Sequence, residues 1–315
     1  MATPVRLRIA VLLATVTAVT AVTAVGCGAT SDQEAKGVRQ DRKTPGVENT
    51  RELTTEERLL IERAEQTLVE RCMAAGGFRF WPTPAVSAAE RQGHGYVLDD
   101  IHWARTHGYG GQLEKKAEKA RLNDPNTAYA NALPATERIR YSKTLDGDPA
   151  KGMLSVELPS GGTVQTPRSG CWNRAAEQLY GDIATWFRAK KTATSLTPLY
   201  VPDLLKDRRL TSAVTAWSRC MREAGHAYAD PDEIRAKRYE LTKGMSPRQT
   251  HATEVELAVA EATCAQETSL GRTARELEHE YRTRNLRRYS DDIATYQRLG
   301  LTAVTRAKKV TGSTP

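Results

Sequence analysis

The chain has none of the short signatures that assign chemistry directly. There is no G-x-S-x-G elbow, no P-loop, no G-x-G-x-x-G fingerprint and no kinase signature set, so no nucleophile, phosphate cradle or dinucleotide site can be named from motif. There is no H-E-x-x-H pair, whose i,i+4 spacing would put two imidazoles on one helix face. Closely spaced cysteines are missing as well. Beyond the first cysteine the nearest two are 44 positions apart, whereas structural zinc sites use C-x-x-C pairs. The sequence therefore calls for no metal, no cofactor and no catalytic residue. What it does hold is 315 residues, 39% of them hydrophobic, with a mean hydropathy of −0.55. That suits one large globular domain or two small ones around a modest, alanine-rich core.

The amino terminus carries Arg6 and Arg8, no acidic residue through Gly26, and an apolar run over residues 9–25. This is the layout of a secretory signal peptide. The run contains Thr15, Thr17, Thr20 and Thr23 and falls short of the roughly 20 strongly apolar residues of a membrane span, so cleavage is expected. Its end, Ala24-Val25-Gly26-Cys27, resembles the bacterial lipoprotein processing box. That resemblance implies a diacylglyceryl group on the Cys27 thiol and cleavage just before it. Two acyl chains anchor stably where one binds only marginally.

Cysteine parity agrees. Five cysteines are present, and an odd count in an exported chain leaves one to explain. With Cys27 assigned to lipid, Cys72, Cys171, Cys220 and Cys264 form an even set, and two disulfides are expected in an oxidising compartment. The net charge of +8 drops by two when Arg6 and Arg8 leave with the signal, a mild excess that speaks for solubility.

Five segments are expected: a signal peptide over 1–26, a tether over 27–53, a first helical unit over 54–191, a linker over 192–205 and a second helical unit over 206–312. Residues 28–52 lack any helical or strand period, and their charges balance. As a coil they would hold the domain on the order of 25–30 Å from the lipid, without acting as a polybasic second anchor. Next, "TTEERLLIERAEQTLVERCMAAGG" predicts a helix. Thr54 or Thr55 caps it, Glu56 and Glu57 sit at its positive end, Leu60, Ala64, Leu68 and Cys72 form one stripe, and Gly76-Gly77 stop it.

Asp124-Pro125, Pro134 and Asp146-Gly147 punctuate two short helices. The alternation in "MLSVELPSGGTVQTP" predicts a β-hairpin. A helix follows from Cys171, then a Thr/Pro break, then a second helical set from about Leu210. That set includes a long segment over 251–309, kinked or ended by Gly300. The fold class is thus mainly α, with a small hairpin insertion.

Placing "ERCMAAGGFRFWP" over "SRCMREAGHAYAD" aligns Cys72 with Cys220, Met73 with Met221, Gly77 with Gly225 and Phe80 with Tyr228. Each copy precedes one further cysteine. From this repeat, Cys72–Cys171 and Cys220–Cys264 are predicted among the three possible pairings, making two related disulfide-stapled helical units. The phrases "RCMAAGGF", "ARTHGYG", "NDPNTAYANALP" and "GCWNRAAEQLYGD" together resemble a group of actinobacterial lipoproteins and secreted proteins with no assigned activity, over roughly residues 55–300. The resemblance implies an extracytoplasmic protein with paired cysteines and transfers no catalytic residue.

The most ligand-like stretch, "GHGYVLDDIHWARTHGYGGQ", concentrates His94, Asp99, Asp100, His102, Trp103 and His107. Asp99 and His102 share a helix face at i,i+3, whereas His102 and His107 at i,i+5 do not. The expected reading is a short amphipathic helix with Trp103 inward and its polar residues solvated, and a ligand site over Asp99, Asp100, His102, Trp103 and His107 is the rival. Trp81, Trp172 and Trp217 suggest either a carbohydrate platform or packing over the disulfides. Residues 282–309 carry Arg282, Arg284, Arg287, Arg288, Arg298, Arg306, Lys308 and Lys309 against Asp291 and Asp292. Such a run is either a solvated helix face or a contact to lipid headgroups or wall phosphates.

The expectation is a lipid-anchored protein on the outer face of the cell membrane, acting as a non-enzymatic binding or structural module of the envelope. Its partners are the membrane through Cys27 and an envelope protein or cell-wall polymer, with nucleic acid excluded by export. The alternatives are an envelope hydrolase or metal-dependent enzyme using the region from His94 to His107, and capture of cell-wall glycan or anionic polymer.

Overall fold

Thr54 opens the first helix in the computed structural model, which describes residues 50–83, 87 and 95–312. The expected signal, Cys27, most of the tether and His94 lie outside the described residues. In α1 (Thr55–Ala75), the Thr54 hydroxyl accepts from the Glu57 N–H at 3.2 Å and the Glu57 carboxylate accepts from the Thr54 N–H at 2.9 Å. This reciprocal capping box satisfies two donors that a helix start would otherwise strand. Arg51 clasps the same carboxylate at 2.6 and 2.7 Å, and its hydrogen bonds pull the Glu57 pKa down to about 2.

The order continues with α2 (Ile101–His107), α3 (Gly111–Leu122), α4 (Pro125–Ala132), α5 (Ala135–Leu145), β1 (Met153–Glu157), β2 (Thr163–Pro167), α6 (Cys171–Tyr180) and α7 (Ile183–Ala193). Then come α8 (Val201–Leu204), α9 (Arg208–Glu223), α10 (Pro231–Leu241), α11 (Pro247–Glu267), α12 (Leu270–Asn285) and α13 (Ser290–Thr311). The protein is mainly helical, and β1 and β2 pair antiparallel with Val156 opposite Val164. The punctuation acts as the sequence predicts. Asp124 caps α4 through the Asn126 and Thr127 N–H groups with Pro125 in its first turn, and Pro134 stands at the start of α5.

Both disulfides form as expected, Cys72–Cys171 and Cys220–Cys264, each with Cα atoms 5.6 Å apart. The repeat is local and geometrical. The Phe78 N–H donates to the Met73 carbonyl at 3.0 Å, and the His226 N–H to the Met221 carbonyl at 2.8 Å. Gly77 and Gly225 take φ of +82° and +89°, as a left-handed helix stop requires. Met73 and Met221 are both fully buried.

The described residues belong to one compact unit with two main hydrophobic clusters. The first joins α1, α5, β1, α6 and α7 to α13, through Leu60, Val69, Met73, Leu179, Trp186 and Ala303 among others. The second joins α9, α10, α11 and α12, with Trp217 and Met221 at its centre. Burial of each large aliphatic or methionine side chain among them is worth about 1.5–3 kcal/mol.

Packing runs across the expected units. The last helix, α13, closes on α1, α6 and α7, while Val97, Leu98, Trp103 and Ala104 pack with α11 or its neighbours. Part of the expected linker joins the second core, where Leu196, Tyr200 and Leu204 are buried.

The expected long segment over 251–309 is three helices. The first break falls at Ser269, whose φ is +59°, and the second at the turn over Arg287–Tyr289. Gly300 does not end α13. It is buried within the helix because Leu53 lies against it, and a Cβ there would come 3.2 Å from Leu53 Cδ1.

Candidate functional site

The ligand-like stretch is distributed over several structural tasks. Asp100 is the N-cap of α2, its Oδ1 accepting from the Trp103 N–H at 2.9 Å. Trp103 is 5% exposed and packs with Leu98, Ala258 and Ala262. The His107 ring stacks on Trp103 at 4.7 Å, with Nδ1 3.3 Å from the Trp103 carbonyl oxygen. His102 is exposed on the outer side of the helix. Asp99 turns toward α12, where its carboxylate accepts from Arg275 Nη1 at 2.6 Å, and its carbonyl accepts from Gln266 Nε2 at 2.8 Å. His102 and His107 therefore do not converge with the aspartates, and among the described residues no group of three or more His, Cys, Asp or Glu could hold a metal.

Asp99 and Asp100 do line an open groove of about 560 Å³ together with Gln266, Ser269, Arg272 and Arg275. Its charges are mixed, and one pair is matched within it. Arg275 is on Asp99, and Arg272 Nη2 donates to Ser269 Oγ at 2.6 Å. Such a surface offers hydrogen bonds of both polarities to a polar ligand and focuses neither sign of charge.

The most constrained polar groups are ones the sequence reading did not single out. Glu261 is 2% exposed, and its carboxylate accepts from the Leu98 N–H at 3.1 Å and the Tyr109 O–H at 2.6 Å. Burial pushes its pKa up, against the opposing pull of those two hydrogen bonds, and burial beside this carboxylate drives the Tyr109 phenol well above its ordinary range. One turn pair earlier on α11, Glu254 is 5% exposed and accepts from the Gly111 N–H at 3.3 Å. Gly111 leaves room for it, since a Cβ there would sit 2.6 Å from both carboxylate oxygens. Arg238 on α10 completes the clasp, donating to the Tyr109 carbonyl at 3.1 Å and to Glu114 at 2.7 Å. The signal was present in the periodicity. Glu254 and Glu261 fall on the buried stripe with Leu257, Ala258 and Ala265, where a carboxylate requires a partner.

The tryptophans divide. Trp217 is fully buried and donates its indole N–H to the Glu261 carbonyl at 3.3 Å. Trp81 and Trp172 are each 36% exposed. Asn126 brackets the Trp81 backbone with two hydrogen bonds of 2.8 Å, and Tyr129 packs on its ring at 5.5 Å. Trp172, beside the Cys171 disulfide, packs on Phe80 at 6.0 Å.

At the basic end, Arg306 donates to the Gln178 and Leu179 carbonyls at 3.3 and 3.2 Å, while Arg282 lies near Glu278 and Glu52. No helix among the described residues is long and apolar enough to cross a membrane. Against known proteins, no family model, no curated protein and no solved structure matches the chain.

Proposed function

We propose that this chain is a lipid-anchored, extracytoplasmic binding or structural module of the cell envelope, held to the membrane through Cys27. The observation that supports it best is the fate of the cysteines. Cys72–Cys171 and Cys220–Cys264 use four of the five, and disulfides persist in oxidising compartments outside the cytoplasm. The remaining thiol is Cys27, which ends the one apolar run that reads as a signal. Asp99, Asp100 and His107 serve as clasp, cap and stacking partner, which counts against a reaction centre in this stretch.

Mass spectrometry of native protein, isolated from membranes after mild crosslinking and digested without reduction, tests this. The expected result is a diacylglyceryl mass on the Cys27 peptide and a recurrent crosslinked partner. An unmodified thiol or an uncleaved leader on the membrane-isolated protein overturns the anchored reading.

A second reading, capture of cell-wall glycan, is favoured by the half-exposed rings of Trp81 and Trp172, since flat amphipathic rings pack on sugar faces. Salt-resistant pelleting with purified walls that falls in Trp81→Ala and Trp172→Ala supports it. Failure of the wild-type chain to pellet at any salt concentration removes it.

A further inference from the structure

Where α12 ends and α13 begins, the chain reads YRTRNLRRY over residues 281–289. Arg282, Arg284, Arg287 and Arg288 fall within seven residues that contain no carboxylate, and all four are exposed. Leu286, 4% exposed, and Tyr281, 7% exposed, fix the corner from beneath. The Arg284 guanidinium lies 4.2 Å over the Tyr281 ring and that of Arg288 lies 4.8 Å over Tyr289. A guanidinium laid on an aromatic face keeps its N–H edge turned outward for a phosphate; Arg284 donates its Nε–H to Asn285 Oδ1 at 3.2 Å, which leaves its terminal N–H groups for one. Of the neighbouring carboxylates, Glu280 is held by Arg209 at 2.8 Å and Asp292 by Arg188 at 3.5 Å, while Asp291 accepts from the Ser290 hydroxyl at 3.5 Å. Among the described residues, Arg284, Arg287 and Arg288 have no carboxylate at ion-pair distance; only Arg282 does, through Glu278 and Glu52.

We propose that this arginine corner rests on an anionic lipid bilayer and recognises the phosphates of acidic headgroups. The position where the chain enters the fold selects a bilayer as the partner, and this step rests on the anchored reading of Cys27. Glu52, two residues after the start of the described chain, lies 3.6 Å from Arg282, so the described chain begins beside this corner. Cys27 is 25 positions before Glu52, a contour of at most about 85 Å. Each basic residue at an acidic bilayer raises binding about fivefold, so the three unpaired arginines give roughly a hundredfold. That is weak for a free protein. A lipid anchor supplies an effective concentration on the order of millimolar, at which so weak a contact becomes populated.

The test uses residues 27–315 with Cys27→Ser, which retain the whole compact unit and carry no acyl chain. They are mixed at low ionic strength with vesicles of phosphatidylcholine, alone or with phosphatidylglycerol, and sedimented. The expected result is binding to the phosphatidylglycerol vesicles only, reversed by salt, and lowered about a hundredfold in the triple variant Arg284→Gln, Arg287→Gln, Arg288→Gln. A control triple on α3, Lys115→Gln, Lys116→Gln, Lys119→Gln, removes the same charge and is expected to bind within a fewfold of wild type. Equal loss in both triples, binding indifferent to lipid charge, or no binding to vesicles alongside binding to purified walls each overturns the proposal. An unchanged melting temperature shows that the exposed substitutions leave the fold intact. The anchor is read separately, from the mass of the Cys27 peptide. Vesicle binding without acylation would overturn the anchor and leave the docking surface, and acylation without vesicle binding would do the reverse.

Discussion

Glu261 makes the most exacting demand on the fold and gives the sharpest prediction. Its carboxylate is buried and holds two donors, the Leu98 N–H and the Tyr109 O–H. Glu261→Ala would strand both, at about 1–3 kcal/mol each, and leave a space worth about another 1–2 kcal/mol. The expected destabilisation is therefore about 3–8 kcal/mol. Glu261→Gln keeps the shape. The amide oxygen accepts from Leu98, and its NH₂ donates to the Tyr109 oxygen once that hydroxyl rotates from donor to acceptor.

The sign of the pH effect follows from the cause of the shift. Burial raises the folded-state pKa, although hydrogen bonds from Tyr109 and Leu98 and the charge of Arg235 oppose it. The folded state therefore favours the protonated form. That contribution is fully present below the unfolded carboxyl pKa of about 4.3 and is lost as pH rises through the folded value.

Urea melts of wild type and Glu261→Gln from pH 4 to 8 isolate this group, because every other titration is shared. The wild type should lose stability relative to the glutamine variant above about pH 4.3, with a slope of at most about 1.4 kcal/mol per pH unit. Above the folded pKa the gap should level off. Tyr109→Phe removes one opposing hydrogen bond and should extend the decline to higher pH. A gap that stays flat from pH 4 to 8, or a glutamine variant as unstable as the alanine one, would refute the reasoning.

Other consequences are equally concrete. Replacing Cys72 and Cys171 by alanine should cost about 4.7 kcal/mol on the loop-closure estimate for 99 residues, and replacing Cys220 and Cys264 about 4 kcal/mol for 44, measured by chemical denaturation. Gly147→Ala should destabilise by more than about 2 kcal/mol, because a Cβ there would strike the Ser169 carbonyl oxygen at a φ of +105°. Gly161→Ala, at φ +97° with open space around it, should cost only about 1–2 kcal/mol. Asp100→Ala should cost about 1 kcal/mol as a lost helix cap. Asp99→Asn, on a largely exposed pair with Arg275, should cost no more than about 1 kcal/mol. A larger effect at Asp99 than at Asp100 would contradict their assigned tasks.

Local signals in the sequence translated well. Thr54, Asp124, Pro134 and Gly77 act where short-range chemistry says they should, and the alternation around residues 153–167 becomes the one hairpin among the described residues. The cysteine pairing was legible because the repeat around Cys72 and Cys220 encodes one helix stop used twice. Long-range packing was not legible. Nothing local to Gly300 says that Leu53 will press on it, so a glycine that reads as a break becomes a point of close approach. Nor does Ser269 carry a strong stop signal, since its left-handed φ is imposed by the junction of α11 and α12. In the ligand-like stretch, the concentration of Asp and His was visible, but its use was set by partners 163 and 176 residues away, Glu261 on the Leu98 N–H and Arg275 on Asp99.

The interleaving of the cores has a mechanical consequence at the two ends of the fold. Leu53 packs on α13, and α13 supplies Ala303, Val304 and Ala307 to the first core, while Tyr296 stacks on Trp186 at 5.3 Å. The residues before α1 and the last helix are therefore fastened to one another, Leu53 on Gly300 within α13. Ending the chain at Tyr289 should then unfasten the first core selectively. Under mild reductant, Cys72 and Cys171 should become alkylated well before Cys220 and Cys264, whose surroundings draw mainly on α9, α11 and α12. In the full chain the two pairs should differ much less. Equal alkylation of both pairs in the shortened chain would mean that the clusters unfold as a single cooperative unit. The last helix would then belong to the second core as much as to the first.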